Sequence, residues 1–170
     1  VPTDKSGWTN AASGEMFNYT KWEPGYTEIK ILSAVDVPAL QAVLRTEFNI
    51  EGYPSREFID LVLRVRPSQV TLVPDKPTQL TSDCGWDTVT EHDFLRDILN
   101  DLRAAGIRSS IFIDADKRMA EYAAKAGADR VELYTGPYAH MYASDRDKAI
   151  APFLETARYV KTLGIGLNAG

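Results

Sequence analysis

The strongest constraint on the fold is a pattern that recurs along most of the chain: an amphipathic helix, a glycine, a short apolar strand and a polar loop. Three predicted helices end at Gly106, Gly127 and Gly164, and an apolar run follows each glycine within a few residues. Glycine at this place allows the left-handed backbone conformation that ends many helices. Helix, glycine and strand repeated in this order are typical of parallel β/α units, so the sequence predicts an α/β fold.

The pattern predicts five strands and five helices. The strands are expected near residues 48, 71, 111, 132 and 166, and the helices near 36–45, 55–66, 90–105, 116–126 and 145–163. Thr90 followed by Asp93 resembles a capping box at the start of the third helix. A closed eight-stranded barrel takes about 200–250 residues, whereas this chain has 170. The sequence therefore predicts either an incomplete barrel of TIM type, with about five strands, or an open doubly wound sheet.

Residues 1–35 differ in character from the rest of the chain. Aromatic side chains stand there among Gly, Asn, Ser and Thr, and Pro24-Gly25 is a turn signal. No helical period is visible, although residues 27–32 could form one short strand. We therefore expect two regions: an aromatic-rich segment over 1–35 and a β/α region over 36–170.

Composition excludes several classes of function. The 19 Lys and Arg residues are scattered among 24 acidic residues, which argues against a nucleic-acid surface because phosphate backbones require clustered cations. No apolar stretch reaches the ~20 residues that a membrane helix needs. Cys84 is the single cysteine, so no intrachain disulfide and no cysteine-based zinc cluster can form. A reducing cytoplasm is the expected compartment.

Two glutamates are the main candidates for catalysis. Glu51 ends the first strand and Glu132 lies inside the fourth. In parallel β/α folds the carboxyl ends of the strands form the reactive face, and a carboxylate in an apolar strand is costly to bury without a partner. Two such groups projecting from neighbouring strands into one cavity would suit proton transfer. Alternatively, each glutamate points outward or forms a structural ion pair, for example with Arg66 or Arg130.

For the other polar residues after the strands, the sequence favours structural roles over catalytic ones. Asp114 and Asp116 lie where a strand passes into a helix, and capping is the commonest role of Asp at such a place. His92 falls in the first turn of a helix, and His140 lies in a Tyr-rich loop. Cys84 has no neighbouring His and acid that would indicate a nucleophile. We rank these below the glutamates.

Six strings then point to a family, because they resemble pyridoxine 5′-phosphate synthase in the order and spacing of that family. They are Phe48-Asn49-Ile50-Glu51-Gly52, Val70-Thr71-Leu72-Val73-Pro74-Asp75-Lys76, Gln79-Leu80-Thr81-Ser82-Asp83, Ser110-Ile111-Phe112-Ile113-Asp114-Ala115-Asp116, Arg130-Val131-Glu132-Leu133-Tyr134-Thr135-Gly136-Pro137-Tyr138-Ala139 and Leu167-Asn168-Ala169-Gly170. The resemblance covers residues 36–170 and assigns them to barrel strands three to seven.

The resemblance implies a TIM-barrel enzyme that condenses 1-deoxy-D-xylulose 5-phosphate with 3-amino-2-oxopropyl phosphate to form the pyridine ring of vitamin B6. By motif, Glu51 resembles the general acid/base glutamate and Glu132 the glutamate that stabilises the transition state. Thr81 resembles a threonine that binds the phosphate of the amino-ketone, and Asn168 and Gly170 belong to a substrate-binding string. The resemblance further implies phosphorylated small-molecule substrates, no metal, no organic cofactor and a cytoplasmic homo-octamer.

Other strings of the family are not found in this sequence. Residues 1–35 contain no Asn-x-Asp-His string and none of the catalytic His and Arg residues of the second barrel strand, and the Asn-Ala-Gly string ends at Gly170. The alternative to an enzyme is therefore a non-catalytic barrel fragment or fusion scaffold that lacks half of the active site. A five-stranded piece also leaves two strand edges unpaired, which favours association.

Overall fold

The computed structural model describes residues 8–9, 16–17, 22–23, 26–27, 36–75 and 83–170. The chain divides into two units, residues 1–45 and 46–170. The first contains strands β1 (Trp8–Thr9) and β2 (Met16–Phe17), which pair antiparallel, strands β3 (Trp22–Glu23) and β4 (Tyr26–Thr27), which also pair antiparallel, and helix α1 (Asp36–Val43). The strand predicted over 27–32 lies outside the described residues except for Thr27, which belongs to β4.

The second unit is an alternation of parallel strands and helices, as the repeated pattern predicted. Its elements are β5 (Asn49–Gly52), α2 (Arg56–Val65), β6 (Gln69–Leu72), α3 (His92–Ala104), β7 (Arg108–Ile113), α4 (Lys117–Ala126), β8 (Arg130–Leu133), α5 (Gly136–Met141), α6 (Arg146–Leu163) and β9 (Gly166–Ala169). The five strands pair in the order β5-β6-β7-β8-β9, and every pair is parallel. This confirms incomplete TIM-barrel-type units: one five-stranded sheet, not closed among the described residues.

Most of the apolar core lies between one face of this sheet and the helices, because side chains alternate along each strand. Val70 and Leu72 of β6, Ile111 and Ile113 of β7 and Val131 of β8 are completely buried. Helices α2, α3, α4 and α6 each turn an apolar stripe inward, and the buried members include Leu61, Val62, Leu95, Leu99, Leu102, Ala120, Ala123, Phe153 and Val160. Burial of these side chains, about 1.5–3 kcal/mol each for the larger ones, holds the helices against the sheet.

Side-chain caps begin three helices, and the cap predicted at Asp116 is confirmed. The side chains of Ser55, Asp116 and Asp145 accept hydrogen bonds from backbone N–H groups in the first turns of α2, α4 and α6. Gly106, Gly127 and Gly164 have φ values of 73°, 99° and 74°, the left-handed region in which a Cβ atom is unfavourable.

Two local predictions were wrong. Thr90 does not begin a capping box: Asp87 accepts from the backbone N–H groups of Val89 and Thr90 and from the Thr90 hydroxyl, which moves the cap three residues upstream. The Tyr-rich loop around His140 contains a short helix, α5. Among the residues that the structure describes, no helix combines the length and the apolar character needed to cross a membrane.

Candidate active site

The site lies on the polar face of the sheet, opposite the buried core. Cross-strand register places Glu51 of β5 level with Thr71 of β6, Ser110 of β7, Arg130 of β8 and Gly166 of β9. One step further toward the carboxyl ends on this face, Phe112, Glu132 and Asn168 form a second row. Since residues in register point the same way, these side chains share one face.

Glu51 and Glu132 therefore project from the same face, but not from neighbouring strands as the sequence suggested. Strands β6 and β7 lie between β5 and β8. Three strand spacings of ~4.8 Å correspond to about 14 Å along the sheet. Glu51 is exposed, whereas Glu132 is partly buried. The two carboxylates thus occupy different environments. The prediction that they project from adjacent strands into one cavity was wrong in this respect, because two strands separate them.

Burial and two hydrogen bonds determine the pKa of Glu132. Burial raises its pKa above the ordinary glutamate value, while hydrogen bonds from Asn168 and Thr71 act in the opposite direction. Thr71 lies on β6 and Glu132 on β8, so their contact reaches across β7. Contacts between alternate strands are typical of the interior layers of a (β/α) barrel. The raised pKa keeps this carboxyl protonated to a higher pH than an ordinary glutamate, a property that suits a group exchanging protons with a substrate.

Strand β9 supplies the surface on which the β8 side chains lie. Its residues on this face are Gly166, Asn168 and Gly170. A Cβ atom at Gly166 would lie 2.6 Å from Cγ of Arg130, and one at Gly170 would collide with the Glu132 carboxylate. The two glycines therefore leave the space that the β8 side chains occupy. Asn168 stands between them, where it meets both Arg130 and Glu132.

Gly170 is fixed by β8 and by the residue that follows that strand. Its backbone N–H donates to the carbonyl of Leu133 at 3.1 Å. Its carbonyl accepts from both the backbone N–H of Thr135, at 2.9 Å, and the Thr135 hydroxyl, at 2.7 Å. These bonds hold the Asn-Ala-Gly string against the strand that carries Glu132.

The hydrogen-bond network around Glu132 also includes Asn49, Thr71 and Arg130, which the sequence pattern did not identify as site residues. Asn49 accepts a hydrogen bond from the Thr71 hydroxyl at 3.1 Å, and Arg130 donates from Nη1 to Oδ1 of Asn168 at 3.0 Å. Arg130, suggested as a possible ion-pair partner of a glutamate, thus contacts an amide. A polar residue at every second position of a buried strand is the signal that could have identified Asn49 and Thr71.

An aromatic cluster lies at the carboxyl ends of β6 and β7. The Trp86 indole N–H donates to the carbonyl of Leu72 at 3.0 Å, and its ring stacks on Tyr53 with 6.0 Å between centroids. A cleft of about 510 Å³ adjoins this cluster and is lined by Tyr53, Pro74, Trp86, Asp87, Glu91 and Phe94. Thr81, the predicted phosphate-binding residue, lies outside the described residues.

The lower-ranked candidates remain outside this network. Asp116 caps α4, as predicted. Burial, Asp83 and then Asp114 and Asp75 raise the pKa of the Cys84 thiol, which disfavours the nucleophilic thiolate. Over residues 36–75 and 83–170, no group of three or more His, Cys, Asp or Glu side chains is arranged to hold a metal ion.

Comparison with known proteins identifies the family of this arrangement. Residues 29–170 match the family described as "Pyridoxal phosphate biosynthesis protein PdxJ". Similar proteins named pyridoxine 5′-phosphate synthase occur in Bacteroides fragilis, at 63% identity over 135 residues, and in Bacteroides thetaiotaomicron, at 62% over 135 residues. The relative in Cytophaga hutchinsonii is 50% identical over 147 residues.

These matches cover more of this chain than of its relatives. The two Bacteroides matches take in 79% of this chain and 57% of the relative, and the Cytophaga match takes in 86% and 60%. The chain thus spans a little over half the length of the curated relatives that it matches.

Proposed function

The chain belongs to the PdxJ family, and from this premise we propose that it forms part of the active site of a pyridoxine 5′-phosphate synthase. The proposed reaction condenses 1-deoxy-D-xylulose 5-phosphate with 3-amino-2-oxopropyl phosphate. Imine formation, dehydration and enolisation in such a ring closure each require proton transfers. The site must therefore supply groups that give and take protons on one side of the sheet.

We assign these tasks to residues of the polar face. Glu51 is the proposed general acid/base, and Glu132 the group that stabilises the transition state. Asn168 and Gly170 are proposed to bind substrate, and Thr81 its phosphate. The observation that supports this proposal most directly is that Glu51 and Glu132 share the face opposite the helices, at the end of the sheet where loops of this architecture converge.

Turnover by the chain tests the proposal. We expect pyridoxine 5′-phosphate to form from the two substrates, either with the chain alone or after a fragment carrying the remaining barrel strands is added. Glu51→Gln and Glu132→Gln should each reduce the rate at least 100-fold, the lower range for a lost acid/base group. Glu155→Gln is the matched control because Glu155 pairs with Lys117 on the outer helices. Absence of product under both conditions would favour a non-catalytic scaffold.

Assembly is part of the same proposal. Strands β5 and β9 each pair on one side only within the described sheet, and unpaired strand edges favour association. We expect a cytoplasmic homo-oligomer, in line with the family. Sedimentation of a monodisperse monomer at micromolar concentration would contradict this expectation.

A further inference from the structure

Glu132 lies between two side chains with different hydrogen-bonding capacity. Asn168 approaches from β9 and Thr71 from β6. A side-chain amide has a donor end and an acceptor end, whereas a hydroxyl has one proton and can also accept. Whether Asn168 and Thr71 donate a hydrogen bond to Glu132 or accept one therefore depends on the hydrogen bonds that each makes with its other neighbours.

Arg130 determines the orientation of Asn168. Its Nη1 donates to Oδ1 of Asn168 at 3.0 Å, and a guanidinium can only donate. The amide oxygen is thereby committed to Arg130, which leaves the amide N–H₂ group for Glu132. Gly166 permits this arrangement, because a Cβ atom there would lie 2.6 Å from the Arg130 side chain. Asn168 is thus held as a donor, the partner that an ionised carboxylate needs.

Asn49 gives the Thr71 hydroxyl a second partner. Thr71 is completely buried, and its Oγ1 donates to Oδ1 of Asn49 at 3.1 Å. The single hydroxyl proton can go to Glu132 or to Asn49, but not to both. When it goes to Asn49, the hydroxyl oxygen is available to accept a proton from a neutral Glu132 carboxyl.

We propose that Arg130 and Asn49 are positioning residues for Glu132, acting through Asn168 and Thr71 so that its carboxyl keeps a hydrogen-bond partner in both the ionised and the protonated state. The inference deepens the proposed function, because a group that exchanges a proton must be tolerated in both states. A partly buried carboxyl with partners for one state only would be locked in that state by the cost of unsatisfied polar groups.

Other charged groups share the polar face with Glu132. They are Glu51 on β5, Arg108 on β7 and Arg130 on β8. Arg108 is engaged elsewhere, since it donates to both carboxylate oxygens of Glu47 and to Oε1 of Gln69. Arg108 and Gln69 therefore form an arginine–amide pair like that of Arg130 and Asn168 but without a contact to Glu132, which makes them matched controls.

The test is the titration of Glu132 itself, followed by NMR of the ¹³C-labelled glutamate carboxyl groups and assigned by the signal that Glu132→Gln removes. Asn168→Leu removes the donor without changing charge, so the pKa of Glu132 should rise. Arg130→Met should also raise it, because Asn168 is then free to turn its oxygen toward the carboxyl. If Arg130 acts through Asn168, the double variant should shift the pKa no further than Asn168→Leu alone.

Asn49 variants should move the titration in opposite directions. Asn49→Leu removes the alternative acceptor, so Thr71 donates permanently to Glu132 and the pKa should fall. Asn49→Asp supplies a stronger acceptor and a second negative charge, so the pKa should rise. A general loosening of the site would hydrate Glu132 in both variants and lower the pKa in both. In a Thr71→Val background, Asn49→Leu should have no further effect.

The controls separate this inference from the proposed function. Arg108→Met and Gln69→Leu should leave the Glu132 titration where it is in the parent chain. Additive effects of Arg130→Met and Asn168→Leu, or an Asn49→Leu variant that does not lower the pKa, would overturn the inference. If Arg130→Met does not fold, Arg130→Gln provides the same comparison. The titration needs no turnover, so an inactive chain would refute the proposed function alone.

Discussion

Replacement of Trp86 tests how the aromatic cluster secures the carboxyl ends of β6 and β7. Trp86 is 6% exposed; its backbone N–H donates to Phe112 at 2.9 Å, and its indole N–H donates to Leu72 at 3.0 Å. Trp86→Phe keeps an aromatic ring against Tyr53 but removes the indole donor, which should cost about 1–2 kcal/mol of unfolding free energy. Trp86→Ala also removes the ring and should cost about 3–5 kcal/mol.

Urea unfolding followed by circular dichroism measures both variants. With a slope of about 2 kcal/mol per molar urea, Trp86→Phe should lower the midpoint by roughly 0.5–1 M. Phe94→Leu is the control, because Phe94 contacts the same ring but is 40% exposed, and it should cost less than about 1 kcal/mol. The reasoning fails if Trp86→Ala costs less than Phe94→Leu, or if Trp86→Phe is as costly as Trp86→Ala.

Two further predictions concern stability. Gly127→Ala should lower the unfolding free energy more than Gly106→Ala. Both residues have a positive φ, which costs about 1–2 kcal/mol for a residue with a Cβ atom, but a Cβ atom at 127 would lie 2.6 Å from Nη2 of Arg103, whereas one at 106 would meet no atom within 4 Å. Equal urea midpoints for the two variants would contradict this prediction. Burial raises the pKa of Glu132 above its ordinary 4.5, so the native state binds this proton more tightly than the unfolded chain does. The contribution of Glu132 to stability should therefore fall as the pH rises from 4.5 through the pKa of the folded state. Urea midpoints measured over this pH range should show that Glu132→Gln removes this contribution.

The fold was largely predictable because its signals are local. A helix that ends in glycine and passes into an apolar run can be recognised within about 20 residues, and this pattern identified β7, β8 and β9 together with α3, α4 and α6. The errors have local causes as well. Asp87 caps the turn before α3 from outside the predicted box, and α5 is a six-residue helix without an apolar period long enough to detect.

The candidate site was less predictable because it depends on register. The sequence identified Glu51 and Glu132 as acids in apolar strands, but it did not determine the order in which the strands pair in the sheet. The partners of Glu132 come from positions 71 and 168, which are remote in sequence from it and from each other. A one-residue slip of β6 would turn Thr71 toward the helices. Thr81 remains a prediction because it lies outside the described residues.

Strand β9 shows that the site depends both on strand register and on small residues at particular positions. Its residues on the helix side of the sheet are Leu167 and Ala169, both exposed. Those toward the site alternate as Gly166, Asn168 and Gly170. Read alone, two glycines in a strand indicate a weak strand. Paired with β8, they are the positions at which larger side chains would displace Arg130 and Glu132. The low strand propensity of β9 is thus a consequence of the space that the β8 side chains need, and a Gly166→Ala change should disturb Arg130 before it disturbs the sheet.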